Sequence, residues 1–144
     1  MKKLLLILGF LVAIAAIPTV VEAQSKVMLS EYGLETDTVT NTGVGFVAVK
    51  IPGKSEHLTI QCILTEISGT TAGTVTIQGS LDGVNFKALP TVDTQTALAT
   101  ATATDVASQS FIWRLTGNPC PYYRISWTGS GTMSATIAGR AFTN

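Results

Sequence analysis

Apolar residues at every second position, in short runs separated by turn residues, constrain this chain more than any other feature. From Gln24 onward helical periodicity is nearly absent and period-two alternation recurs, the signature of half-buried strands. Val39–Thr42 and Gly45–Ile51 read as strands joined at Thr42-Gly43. His57–Ile67 is the strongest strand, with Leu58, Ile60, Cys62 and Leu64 on one face. Ile63 and Ile67 on its other face predict a central strand covered on both sides, or an interface. After a turn at Gly69–Gly73, Thr74–Ser80 points Val75 and Ile77 inward and Thr74, Thr76 and Gln78 outward. Asp82-Gly83 predicts a type I′ hairpin, both of whose central residues need positive φ, with Asn85–Leu89 returning to Pro90. Ser108–Thr116 places Phe111, Trp113 and Leu115 inward, and Tyr122–Thr128 does the same with Tyr123, Ile125 and Trp127. Asn118-Pro119-Cys120-Pro121 between them is a non-strand corner. Gly129-Ser130-Gly131 turns the chain into a last strand, Thr132–Phe142.

Seven to nine strands at about 10–12-residue spacing, with no βαβ pattern, predict an all-β antiparallel sandwich or jelly roll. A closed barrel is the alternative. Thr91–Ala107, which contains an alternating Ala/Thr tract, has few large side chains to anchor it. It reads as a long mobile or edge-lying connection, or one ordered against a neighbouring subunit.

Residues 1–23 stand apart from this pattern. Lys2 and Lys3 precede an unbroken apolar run from Leu4 to Ile17, then Pro18 and Val21-Glu22-Ala23. That is a positive n-region, an h-region and small residues at −3 and −1 of a cleavage site before Gln24. The run is short for a membrane span, which needs about 20 apolar residues, and no cysteine follows it to carry a lipid. The expectation is a signal peptide, with a retained hydrophobic anchor as the alternative, and one exported domain over 24–144. Contact with a membrane would then occur only through residues 1–23.

Charged residues make up 12% of the chain and balance to zero; without Lys2, Lys3 and Glu22, seven basic and eight acidic residues remain. No basic stripe is present to hold a phosphate backbone, so nucleic acid is excluded as a partner. Polarity comes instead from 22 threonines, many serines and 13 glycines. Such a neutral, Thr-rich surface suits strands and does little to oppose self-association.

Candidate chemistry is sparse. In an oxidising compartment Cys62 and Cys120 can form a disulfide closing roughly 60 residues, worth about 4 kcal/mol. The alternative is one buried strand thiol and one unpaired loop thiol. His57, the single histidine, is a conceivable general base, but beside Glu56 it reads as a solvated strand-entry residue. No second ligand is spaced to join it on a metal, no nucleophile elbow or phosphate loop occurs, and no cofactor is expected. Asp82-Gly83-Val84-Asn85 offers oxygens for calcium, yet a turn explains the same residues. Of the aromatic residues, Tyr122 beside Pro121 is the one placed for exposure, as a possible glycan contact.

Two segments carry a resemblance. Thr74–Pro90, with its Gly-Ser-Leu-Asp-Gly-Val-Asn-Phe core, and Tyr122–Ala135, with Tyr-Arg-Ile and Gly-Ser-Gly, resemble β-sandwich modules of bacteriophage virion proteins of the capsid, spike or decoration type. They are similar, more distantly, to discoidin-like carbohydrate- or lipid-binding domains. The resemblance implies a non-enzymatic structural protein that self-associates or contacts other virion or surface proteins. It transfers no binding or catalytic residue. The alternative reading is a secreted module that binds a glycan or host surface.

Overall fold

The computed structural model describes residues 24–53, 56–89, 100–116 and 120–143. These form ten strands: β1 (Gln24–Val27), β2 (Thr36–Thr40), β3 (Val44–Lys50), β4 (His57–Gly69), β5 (Gly73–Ser80), β6 (Lys87–Ala88), β7 (Thr100–Ala103), β8 (Ser108–Thr116), β9 (Tyr122–Gly129) and β10 (Met133–Thr143). Every pairing is antiparallel. One sheet runs β1-β10-β4-β8, with β2 also on β10; the other runs β3-β9-β5-β6, with β7 also on β5. The protein is thus a two-sheet β-sandwich, not a closed barrel. Each sheet has three long strands and one edge broken into two short ones.

The alternation read from the sequence sets which side chains meet between the sheets. Leu58, Ile60, Cys62 and Leu64 of β4 face Val75 and Ile77 of β5, and Trp113, Tyr123, Ile125 and Trp127 fill the remaining space. Each large apolar side chain so buried contributes about 1.5–3 kcal/mol. Phe111 is only half-buried, because β8 is an edge strand; its ring centre lies 6.1 Å from that of Trp113. The second face of β4 is not covered: Ile67 is 60% exposed and Ile63 partly so.

The long strands β3, β4, β5, β8, β9 and β10 alternate strictly between the two sheets. Thr42-Gly43, Gly69–Gly73 and Gly129–Gly131 are therefore corners that cross from sheet to sheet, not hairpins. Asp82-Gly83 does lie in a hairpin, between β5 and β6, but not of type I′. Gly83 has φ of 77°, whereas Asp82 is not in the left-handed region. The return strand shrinks to Lys87–Ala88. In the Ala/Thr tract, Thr100–Ala103 is ordered against Gly73–Thr76 as the outer β7. Positions 91–99 and Asn118-Pro119 lie outside the described residues, as do residues 1–23.

Gly73 shows how tightly one corner is built. A Cβ there would stand 2.2 Å from the Thr128 carbonyl oxygen and 2.8 Å from Trp127 Nε1, and φ is 135°. Gly131, with φ of 83°, has nothing within 4 Å. Gly73→Ala should therefore cost about 3 kcal/mol or more in urea unfolding, combining backbone strain with overpacking. Gly131→Ala should cost only the strain, about 1 kcal/mol.

Candidate functional site

Because Tyr123, Ile125 and Trp127 of β9 point into the core, Tyr122, Arg124 and Ser126 point out. On β3 the same rule turns Phe46, Ala48 and Lys50 outward around the buried Val47. Register sets Lys50 opposite Tyr122, Ala48 opposite Arg124 and Phe46 opposite Ser126. Ala48 and Ser126 are small, so a low floor lies between taller side chains. The chain before β2 raises one wall: Leu29 bridges Ala48, and Ser30 and Glu31 follow it. Residues 81–86, between β5 and β6, raise the other. The result is an open groove of about 500 Å³, lined chiefly by Phe46, Lys50, Val84, Phe86, Tyr122 and Arg124.

Arg124 organises the groove. Its guanidinium carbon lies 4.9 Å from the ring centre of Phe46 and 4.3 Å from that of Phe86, so the cation makes two aromatic contacts. Nε donates to Gln78 Oε1 at 2.7 Å, a contact that β5–β9 register makes possible by setting Gln78 opposite Arg124. Partial burial lowers its pKa from the ordinary arginine value, but arginine stays charged throughout the physiological range. Lys50 Nζ sits 5.4 Å from the Tyr122 ring centre. Lys26 Nζ, donating to the Lys50 carbonyl at 3.5 Å, brings a third cation to this edge.

The 81–86 wall is held by its own hydrogen bonds. Asp82 Oδ1 accepts from Val84 N and Asn85 N, both at 2.8 Å, and from Ser80 Oγ at 2.8 Å. Oδ2 accepts from Asn85 Nδ2 at 2.7 Å. These donors, first the Asn85 amides, hold the Asp82 carboxyl well below the usual carboxylate range. Both oxygens are thus committed to the loop, which is why a calcium reading of Asp82-Gly83-Val84-Asn85 gains nothing here. Among the described residues no group of three or more His, Cys, Asp or Glu side chains could hold a metal.

Tyr122 does line the groove, but not as an exposed platform. It is half-buried, and the Gly83 backbone lies so close that a Cβ there would come within 3.1 Å of its ring. His57 opens β4 on the other sheet, opposite Thr116 of β8. Phe46, Lys50, Phe86 and Arg124 were not singled out by the sequence. Alternation implied an outward position for Arg124 alone, and nothing local brings residues so far apart in the chain onto one concave face.

Of the two readings of the cysteine pair, the structure has both residues as free thiols. Cys62 is fully buried on β4, while Cys120 precedes β9 in the other sheet. The Cys120 sulfur packs over Gly79, where a Cβ would meet it at 2.8 Å. No helix among the described residues is long and apolar enough to cross a membrane.

No protein-family model matches the chain, and no curated protein matches it. Solved structures that resemble it include the CBM22-1–GH10 modules of the Clostridium thermocellum endo-1,4-β-D-xylanase 10B, at 12% identity and a TM-score of 0.45, over 86% of this chain and 25% of that one. The CBM22-1 xylan-binding domain of Paenibacillus barcinonensis Xyn10C matches at 10% identity and 0.45, over 85% and 84%. CBM32-1 from a Clostridium perfringens family 31 glycoside hydrolase matches at 9% and 0.44, over 86% and 95%. This chain spans about a quarter of the first of these. At such identities the likeness concerns the layout of strands, and the ligand must be argued from the groove itself.

Burial pushes the Cys62 thiol up to about 12. The native state then keeps a proton that the unfolded chain releases from about 8.5. The stability this supplies is whole below that pH and falls by about 1.4 kcal/mol per pH unit as pH rises toward 12. Urea unfolding at several pH values should show the decline from pH 8.5 to 10, and Cys62→Ala should flatten it. Tyr123, also pushed up to about 12 by burial, adds the same sign only above about pH 10. In the native protein, alkylation should reach Cys120 and spare Cys62.

Proposed function

We propose that this protein is a non-catalytic glycan-binding module and that the sugar lies in the groove over β3 and β9. The observation that carries this reading is the outward cluster of Phe46, Arg124, Phe86 and Tyr122 on a concave face. Sugars present apolar C–H faces and a rim of hydroxyls, and aromatic surface beside fixed hydrogen-bond donors complements both. The groove volume lies in the range of small-ligand sites. Glu31 is the single carboxylate among the lining residues, whereas glycoside cleavage generally needs two. A signal peptide at residues 1–23 would deliver the groove to extracellular glycans.

An assembly subunit, whether of a virion or a cell surface, finds less support. The opposite sheet carries exposed Ile67 and Ile112, but Ile112 sits across from Gln61. Six residues along β4 separate that point from Ile67, about 20 Å. Ile63 lies between them but is largely covered, and apolar side chains so spread are ordinary surface.

Affinity electrophoresis of the full chain through gels containing neutral or acidic polysaccharides tests the proposal. Retardation should occur with at least one of them and weaken tenfold or more in Phe86→Ala. It should be unchanged in Ile112→Ala on the opposite sheet. Free migration in every gel, or equal retardation of Phe86→Ala, would remove the reading.

A further inference from the structure

Resting on the glycan-binding reading, we infer that the sugar is anionic and that its oxyanion, a carboxylate or a sulfate ester, docks on the free end of Arg124 with Lys50 beside it. The surroundings of the guanidinium leave its charge uncompensated. Its cross-strand neighbours are Ala48 and Gln78, both neutral, and no carboxylate among the described residues pairs with it. Among the described residues its one hydrogen bond, from Nε to Gln78, leaves Nη1 and Nη2 without an acceptor. A partly buried cation is ordinarily paired, so this one is held ready by rings instead of by a counter-ion.

The geometry suits an oxyanion better than a hydroxyl. A guanidinium is a planar fork whose terminal nitrogens match two oxygens of one carboxylate or sulfate. With Nε tied to Gln78 and the guanidinium in contact with the Phe46 and Phe86 rings, the fork is restrained, and its Nη edge is the part left for a ligand. The charge balance around the groove has the same sign. Lys50 and Arg124 line it and Lys26 adjoins Lys50, against Glu31 on the lining and Asp82 within the 81–86 wall, whose carboxylate is turned to its own loop. In a chain whose formal net charge is zero, that local excess is a property of this site and not of the whole surface.

Binding of the full chain to polygalacturonate, its fully methyl-esterified form, dextran sulfate and unmodified dextran separates the possibilities. The expected result is at least tenfold tighter binding to one or both polyanions than to its neutral counterpart. That preference should shrink at high salt and fall tenfold or more in Arg124→Met and severalfold in Lys50→Gln. Preference for polygalacturonate would identify the carboxylate as the recognised group, and preference for dextran sulfate the sulfate. Equal binding of charged and neutral forms, with loss in Phe86→Ala, would overturn the anionic inference and leave the glycan reading standing. Polyanion binding that survives both Arg124→Met and Lys50→Gln would also overturn it, as unspecific attraction. No binding to these or any other polysaccharide would overturn both. Should Arg124→Met fail to fold, Lys50→Gln, an exposed substitution, and the esterified control still decide.

Discussion

The burial of Tyr123, Ile125 and Trp127 on β9 is the constraint on which the rest depends. All three are completely shielded from solvent, and β9 is the strand that β3 and β5 both pair with. Because a strand alternates faces residue by residue, a slip of one position would expose this whole set and drive Arg124 inside. The core therefore fixes the groove. Gly73, pressed against Trp127, makes the same point at the corner where β5 begins: the indole fits because no side chain stands there.

Strict alternation of the long strands between sheets has a second consequence. Their turns become corners with little freedom, since each must deliver the next strand to the opposite layer. The 81–86 segment is different, because β5 and β6 pair locally within one sheet. It can project, and it keeps its shape through Asp82, whose two oxygens accept four hydrogen bonds from Ser80, Val84 and Asn85. A wall so built needs no support from the core, which is why it can stand beside a groove.

What the sequence made legible follows from this physics. Inward residues such as Leu58, Ile77, Trp113 and Ile125 were readable because a period of two survives any sheet order. Sheet order itself was not readable, since local turn chemistry does not distinguish a hairpin from a corner that crosses layers. Asp82-Gly83 located a turn correctly but misled on its type, because a dipeptide does not reveal that the carboxylate will reach on to residues 84 and 85. The cysteine pair stayed open for a related reason: alternation turned Cys62 inward, but the neighbours of Cys120 are a tertiary fact. Tyr122 was picked out as exposed and proves to be a wall, covered by Gly83. The remaining groove residues come from the chain before β2, from β3 and β9, and from the 81–86 loop, and only the fold assembles them.

The Phe46–Arg124–Phe86 stack does two things at once, and the pairing is informative. Phe46 belongs to β3 and Phe86 to the loop, so the guanidinium ties the projecting wall to the sheet. Each cation–π contact is worth roughly 0.5–2 kcal/mol, depending on desolvation, which is enough to order a side chain but not to hold a domain together. An aliphatic residue at 124 would fill much of the same space without the cost of partly desolvating a charge. What that residue would lack is a fixed set of donors facing solvent. A side chain already immobilised loses little further entropy when a ligand arrives. The stack thus trades some stability for preorganisation, and that trade favours the groove as the working surface of the molecule.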